Sequence, residues 1–410
     1  MNFSLVVAAP TLCLATSLFC GATASAVTPT APEQALVAGY NSTGARLFQD
    51  LAKGTGNIVL SPHSIGSALS MVLAGAHGDT AKAISNALDL NLSPADLAAA
   101  NASLITDLKS ASGKDSATLN SANALIEVKP HVVGAVFRAL LQKNYAAEAF
   151  SGNVEAINRW IAQKTSGKIS HMLDGLPDGT GFVLANAAYF KAFWQYPFEK
   201  ADTANGTFHL TATHDMQVPM MHDEDHFALV KGKDFKAIRL PYRSADGRLG
   251  MIVVLPAAVD GLANVIGELG PKQIAALFAQ LGATDFPDVQ LQLPRFHADY
   301  RTSLAAPLEK AGMGLAFDAQ KADFSGMTGR PPADVQVAIA DVIHSAVIDV
   351  NEESSEAAAA TVVPMVATAM AHENPPPPEP FIVDRPFLFF IVDQKTGAVL
   401  FQGRIADPRH

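Results

Sequence analysis

Ser61, Ser64 and His344 are the side chains whose types fit a hydrolase nucleophile and its general base. The sequence around them does not support that chemistry. No G-x-S-x-G elbow is present, and the residue that would orient the imidazole is Asn186 rather than an acid. A serine and a histidine this far apart in sequence are weak evidence for a catalytic pair without geometry. A second set, His209, His214, His222 and His226 with Asp223, Glu224 and Asp225, offers the ligand types of a metal site. Ligand type without closed geometry does not make one. The expectation is therefore no enzyme, no metal and no cofactor.

A different kind of chemistry is suggested by residues 352–371. Three carboxylates, Glu352, Glu353 and Glu356, fall within five residues. Residues 357–371 then carry no charge and little bulk, and a proline run, 375–378, follows. Four consecutive alanines favour helix, and Thr361-Val362-Val363 favours strand. Neither has the bulk to nucleate a core. With a strand's alternation from Ser355, one face carries Ser355, Ala357, Ala359, Thr361, Val363 and Met365 and holds no charge. The single charge, Glu356, falls on the other face. Such a segment can live outside a sheet or inside one. From composition alone, an Ala-rich flexible linker accounts for it equally well.

These residues must be positioned by the rest of the chain. Its 410 residues exceed the usual size of one domain, yet no linker or repeat divides it. Apolar content of 49% supplies a large core. The net charge of −10 comes from intermixed acidic and basic residues, which leaves no nucleic-acid footprint. Residues 1–26 read as a secretory signal. Residues 5–20 are mostly apolar, and Ala24-Ser25-Ala26 is a small-x-small cleavage site. The n-region is atypical, since the first Lys or Arg is Arg46. Both cysteines, Cys13 and Cys20, lie inside this segment. Lipid anchoring at Cys20 is an alternative, but Phe19 is a poor neighbour because that processing wants a small residue. The apolar run is short for an uncleaved membrane anchor, and no other stretch could cross a bilayer as a helix. After cleavage, the exported chain, residues 27–410, would contain no cysteine. It would rely on packing rather than disulfides despite an oxidising destination, extracellular or periplasmic.

Beyond the signal, residues 33–51 have a helical pattern, and Ser61-Pro62 opens another helix with Ser as cap and Pro in the first turn. Residues 182–198, FVLANAAYFKAFWQYPF, have the continuous apolar character of a strand buried on both faces. Leu240-Pro241-Tyr242 and residues 251–256 read as further short strands.

Several stretches together carry a specific resemblance. They are NIVLSPHSIGSALSMVLAGAHGDT (57–80), NRWIAQKTSGKISHML (158–173), residues 182–198 and VPMMHDEDHF (218–227). Leu293-Pro294-Arg295-Phe296, LEKAGMGLAF (308–317) and residues 322–327 add to it. So do HSAVIDVNEESSEAAAAT (344–361) and DRPFLFFIVDQKTGAVLFQGRIADP (384–408). From about residue 33 to residue 408 the chain resembles the serpins, serine protease inhibitors, and is similar to a secreted member of bacterial type. The resemblance implies an α+β fold with three β-sheets, about nine helices and an exposed reactive-centre loop, here about residues 352–380. It identifies residues 158–173 with the helix across the front of the main sheet. It places Ser61, Ser64, Asn186 and His344 at the polar shutter in the sheet centre, and Trp194 where the loop first enters. Buried polar groups of this kind must be hydrogen-bonded to be tolerated.

The implied activity is suicide inhibition. A serine protease attacks the loop, forms an acyl-enzyme, and is trapped as the cleaved loop inserts into the main sheet, a form of strand addition. Glu352, Ser354, Ser355, Glu356 and Ala357 then form the hinge. Ser355 must enter first, where a small hydroxyl is tolerable and a charge is not. Two residues depart from the family pattern. Ser354 stands where Gly is common, and Pro364 cannot donate a ladder bond. They support the alternative, a non-inhibitory serpin-fold binding protein whose loop is only a substrate or docking strand.

Family spacing places the scissile bond at Thr368–Ala369, within about two residues. No Lys or Arg occurs from 354 to 384, which disfavours trypsin-like targets. Val366, Ala367, Thr368, Ala369 and Met370 suit elastase-like or subtilisin-like proteases with a small apolar pocket, and a register shifted to Met370 would admit chymotrypsin-like enzymes. Residues 83–108 contain no Lys or Arg, so heparin-like polyanions are not expected as partners. A monomer with no membrane attachment in its mature form completes the expectation.

Overall fold

The computed structural model describes residues 28–111, 117–128, 132–175, 181–244, 246–353 and 376–409. The expected signal segment lies outside them, with Cys13 and Cys20, as do Ser354, Ser355, Glu356, Ala357, Pro364, Thr368 and Ala369.

Three sheets organise these residues. The central one has the order β11-β12-β4-β2-β3, formed by Phe296–Ser303, Ala338–Val350, Gly181–Lys191, Thr118–Glu127 and Glu148–Ser151. A six-stranded sheet has the order β1-β15-β14-β9-β8-β7, from Ile58–Leu60, Ala398–Ile405, Phe387–Asp393, Leu249–Pro256, Phe235–Pro241 and Ala228–Lys231. A four-stranded sheet has the order β13-β10-β6-β5, from Glu379–Ile382, Asp288–Pro294, His214–His226 and Ala204–Thr211. The helices are α1 (Ala31–Leu51), α2 (Pro62–Leu73), α3 (Gly78–Ala87), α4 (Pro94–Ala111), α5 (Ala135–Tyr145), α6 (Val154–Lys164), α7 (Leu262–Glu268) and α8 (Pro271–Ala283). Three short segments follow, α9 (Ala305–Leu308), α10 (Gly314–Phe317) and α11 (Ser325–Thr328).

Helix α2 sits at the centre. It starts as its sequence dictates. The Ser61 hydroxyl accepts from the Ser64 N–H, and Pro62 fills the first turn, where no N–H partner is needed. Every residue from Pro62 to Val72 is buried, because the helix lies between β2 and β4 on one side and β15 on the other. Its Gly66 leaves no room for a side chain, since a Cβ there would overlap the Tyr40 ring.

Two cores flank the central sheet. One face, with Leu125 of β2, Leu184 and Ala188 of β4 and Ala346 of β12, joins the main core around α1 and α2. The opposite face, with Ala124, Ile126, Val183, Ala185 and Val347, packs under α6 through Ile157 and Ile161. This explains why β4 is buried on both faces and reads as an unbroken apolar run. The front helix differs from the expected 158–173. Asn153 caps it by accepting from the Ala156 N–H, so it begins at Val154. It ends at Lys164, because Ser166 and Gly167 both adopt positive φ. Ile169, Met172 and Leu173 continue the packing from outside any helix or strand. Likewise β4 ends at Lys191, and Trp194 makes a separate bridge to Tyr242.

The central sheet pairs antiparallel except at β2–β3 and at β12–β4. The β12–β4 ladder is parallel from Ala338 opposite Gly181 to Ile348 opposite Phe190.

Candidate functional site

Strand alternation places His344, Asn186 and Asn123 side by side on the α2 face of the central sheet. His344 of β12 is the register partner of Asn186 of β4, and Asn186 is the register partner of Asn123 of β2. Three polar groups thus form a row across three adjacent strands. The amide nitrogen of Asn186 donates to Asn123 Oδ1 and, at 2.5 Å, to Ser64 Oγ. Ser64 Oγ lies 2.5 Å from Ser121 Oγ. His344 Nε2 accepts the Ser61 backbone N–H at 3.2 Å, which fixes Nδ1 as the protonated nitrogen, donating to Asn186 Oδ1. Burial pushes the His344 pKa down to about 3, so the ring is neutral.

This geometry removes the hydrolase reading. What His344 meets is the main-chain N–H of Ser61, not a serine hydroxyl, and both ring nitrogens are occupied. His344 and Ser64 are fully buried, out of reach of a substrate. The arrangement does something else. Parting β4 from β12 breaks one side-chain bond in the row, His344 to Asn186. His344 keeps Ser61, and Asn186 keeps Ser64 and Asn123. A polar line in a low-dielectric interior holds the strands together, and its breaking point lies between those two strands.

At the end of β12 the chain is clamped. The Glu352 carboxylate is 2% exposed and accepts from Thr203 Oγ1 and Arg295 Nε, both at 2.5 Å, with Arg295 Nη2 also in contact. Burial alone would raise its pKa, but the bonds from Arg295 and Thr203 hold it below the usual carboxylate range. The Phe198 N–H donates to the Glu352 carbonyl at 3.2 Å, and Lys200 pairs with Glu353. Trp194 stacks on Tyr242 with ring centres 4.5 Å apart and donates its indole N–H to the Asn351 carbonyl at 2.8 Å. The strand end therefore meets a cage of Trp194, Phe198, Thr203 and Arg295.

Of the residues singled out in the sequence, Ser61, Ser64, Asn186 and His344 are joined in one network, and Trp194 and Glu352 in the other. The rest of the expected hinge and reactive bond lie outside the described residues. The histidines of the other set do not converge. His209 pairs with Asp215, and His222 Nδ1 meets the Asp202 carbonyl. Among the described residues no group of three or more His, Cys, Asp or Glu is placed to hold a metal ion.

Sequence reasoning missed Ser121, Asn123, Thr203 and Arg295. Ser121 and Asn123 had a signal, two polar residues at i and i+2 in a strand whose following residues are apolar. Arg295 stands inside the Leu293-Pro294-Arg295-Phe296 motif, where the resemblance assigns it no role. Thr203 carries none.

Comparison with known proteins agrees with this architecture. Residues 38–408 match the family described as Serpin (serine protease inhibitor). A serpin-like protein of Thermococcus kodakarensis is 34% identical, covering 92% of this chain and 87% of its own. Leukocyte elastase inhibitor of Homo sapiens is 33% identical, covering 86% and 93%. Among solved structures, Serpin48 of the insect Tenebrio molitor superposes with a TM-score of 0.77 at 26% identity, covering 91% of this chain and 98% of its own. Tengpin, a thermophilic serpin in its native state, gives 0.79 at 25%, covering 90% and 94%. The chain belongs to the serpin family.

Proposed function

We propose that this protein is a suicide inhibitor of serine proteases with small apolar primary specificity, elastase-like or subtilisin-like, and is not itself an enzyme. The observation that carries the reading is the parallel β12–β4 ladder, whose β12 strand ends at Val350, shortly before residues 354–375 in the sequence. A strand turning back from the end of β12 would run antiparallel to both neighbours. Inserted between them, it would replace one parallel ladder with two antiparallel ones, the more stable pairing per residue. A dozen or more new ladder bonds at roughly 1 kcal/mol each contribute on the order of 10 kcal/mol. Opening that seam breaks one side-chain bond of the polar row, and the Glu352 clamp sits where entry begins.

In this reading the protease nucleophile attacks the carbonyl of Thr368, and the acyl bond survives because insertion carries the enzyme away before water completes the turnover. The similarity to leukocyte elastase inhibitor and the absence of Lys and Arg from 354 to 384 support the choice of target. Export by the segment 1–26 belongs to the same proposal. So do a cofactor-free monomer and indifference to heparin-like polyanions.

The test mixes the mature protein with pancreatic elastase and with subtilisin, followed by denaturing electrophoresis and mass spectrometry of the released peptide. A covalent band with a peptide beginning at Ala369 is expected. Clean loop cleavage without that band would sink the inhibitory reading. It would favour the binding-protein alternative to which Ser354 and Pro364 point.

A further inference from the structure

The chain that follows α6 ties together the two halves of the central sheet, and its two attachments differ in kind. On one side it is bound to α6. Asn158 Oδ1 accepts from the Met172 and Leu173 N–H groups, both at 2.9 Å, and the Asn158 amide nitrogen donates to the Leu173 carbonyl at 2.8 Å. Thr165 Oγ1 accepts the Ile169 N–H at 3.1 Å. Helix α6 in turn rides on the β3–β2–β4 half. The Trp160 indole donates to Glu148 of β3 at 3.1 Å, and Ile157 and Ile161 pack with Ala124 and Ile126 of β2 and Val183 of β4.

On the other side the ties are ionic. Lys168 Nζ donates to Asp349 of β12 at 3.4 Å and lies 5.6 Å from the centre of the Tyr189 ring of β4, so one ammonium spans the β4–β12 seam. Further along, Arg301 of β11 donates to Asp174 at 3.3 Å, and His171 meets the same carboxylate at 2.6 Å. The side chains of the two pairs, Lys168–Asp349 and Arg301–Asp174, are 34–78% exposed. Exposed pairs hold weakly and are screened by salt. Losing Asn158 or Thr165 would instead strand partly or fully buried N–H groups. Attachments this unequal have a defined breaking side.

We propose that residues 168–174 form an ionic latch on the seam, released from β12 at Lys168–Asp349 and from β11 at Asp174–Arg301, while they stay bound to α6 and move with the β3–β2–β4 half. Asp349 lies three residues before Glu352, so Lys168 is placed at the end of the seam where entry begins. The latch therefore sets how fast a cut loop enters. That consequence rests on the insertion reading of the preceding subsection, whereas the latch in the uncut protein does not.

Hydrogen exchange of the uncut mature protein, read by mass spectrometry, tests the latch. Amides of residues 166–174 should exchange about two- to fivefold faster in Lys168→Met and in Arg301→Met, the range expected for an exposed pair. The wild type in about 1 M NaCl should show the same loss of protection. Residues 154–164 should stay as protected as before. Lys82→Met, which removes an exposed pair on α3, should change neither segment. Unchanged exchange across 166–174 overturns the latch, and equal loss across 154–164 overturns its one-sided release. For the rate of entry, heat resistance after subtilisin nicking should develop about two- to fivefold faster in Lys168→Met than in the wild type. Equal rates, with 166–174 deprotected, overturn the control of entry and leave the latch. No gain of heat resistance in the nicked wild type removes the insertion reading itself, and the exchange measurement still decides the latch.

Discussion

His344 carries a pH dependence whose sign follows from its bonds. Its neutral ring accepts the Ser61 N–H, so protonation would leave two donors facing each other. Burial holds its pKa down to about 3, against about 6.5 in an unfolded chain. His63 is depressed to about 4 by the same cause. Between those values the unfolded state binds the extra proton. The stability these neutral rings permit is therefore fully present above pH 6.5 and lost as pH falls toward 4 and then 3. From pH 7 to pH 5 each should forfeit about 2 kcal/mol, read as a fall in urea midpoint. A midpoint flat across that range would show that the rings are charged or solvated in the fold. Asn186→Ala should cost about 2–4 kcal/mol, since it strands His344 Nδ1–H and Asn123 together. Glu352→Ala should cost less, about 1–3 kcal/mol, because Arg295 is 42% exposed and solvent replaces part of the lost pairing. Loss of the clamp should also raise the rate at which the strand end frees itself, read as earlier heat-induced change in Trp194 fluorescence.

At the scale of elements, the Trp194 indole reports on the end of β12, because its N–H is held by the Asn351 carbonyl. Trp160, the other tryptophan, packs on Phe150 across α6 and β3. In a Trp160→Phe background the emission should shift as the loop inserts after cleavage, and remain fixed if the nicked loop stays out. If the protein inhibits by loop insertion, as proposed, Ser355→Arg should convert it into a substrate. A buried guanidinium at the first inserting position stalls entry while the acyl-enzyme hydrolyses, so moles of inhibitor consumed per protease trapped should rise on the order of tenfold or more. Stoichiometry unchanged by arginine would mean that position 355 never enters the sheet. The elements themselves were legible where one physical signal dominated. The Ser61-Pro62 cap fixed the start of α2, and unbroken apolar character marked β4 as buried on both faces. The start of α6 was hidden because Asn153, its cap, lies upstream of the motif that drew attention, and its end was hidden in the positive φ of Ser166. The polar row was half legible. Ser61, Ser64, Asn186 and His344 came from resemblance. Asn123 left only a weak local signal, a polar residue at i+2 from Ser121 ahead of an apolar run, because its partnership depends on the β2–β4 register, which pairs residues far apart in the chain. The clamp partners Thr203 and Arg295 were hidden for the same reason.

For the whole molecule, the central question is where its free energy lies before the loop is cut. The described fold leaves a parallel seam in a sheet that is otherwise mostly antiparallel, with a polar row across it and a clamp at its mouth. Those features hold the sheet shut, yet filling the seam with a strand would add on the order of 10 kcal/mol. On the proposed insertion mechanism the uncut chain is not in its most stable arrangement, and cleavage should make it more heat-resistant rather than less, the reverse of an ordinary nick in a folded domain. For a chain of this size that difference corresponds to a rise in thermal midpoint on the order of 10 °C or more. The measurement is a pair of thermal scans, before and after limited subtilisin cleavage, with the cut located by mass spectrometry between residues 354 and 375. If 1–26 is removed on export, no cysteine is left, so the rise should be identical with and without reductant. A midpoint that stays level after a verified loop cut would mean that β12 and β4 remain paired. The seam would then be a structural ladder, and the protein would act through its surface rather than through stored strain.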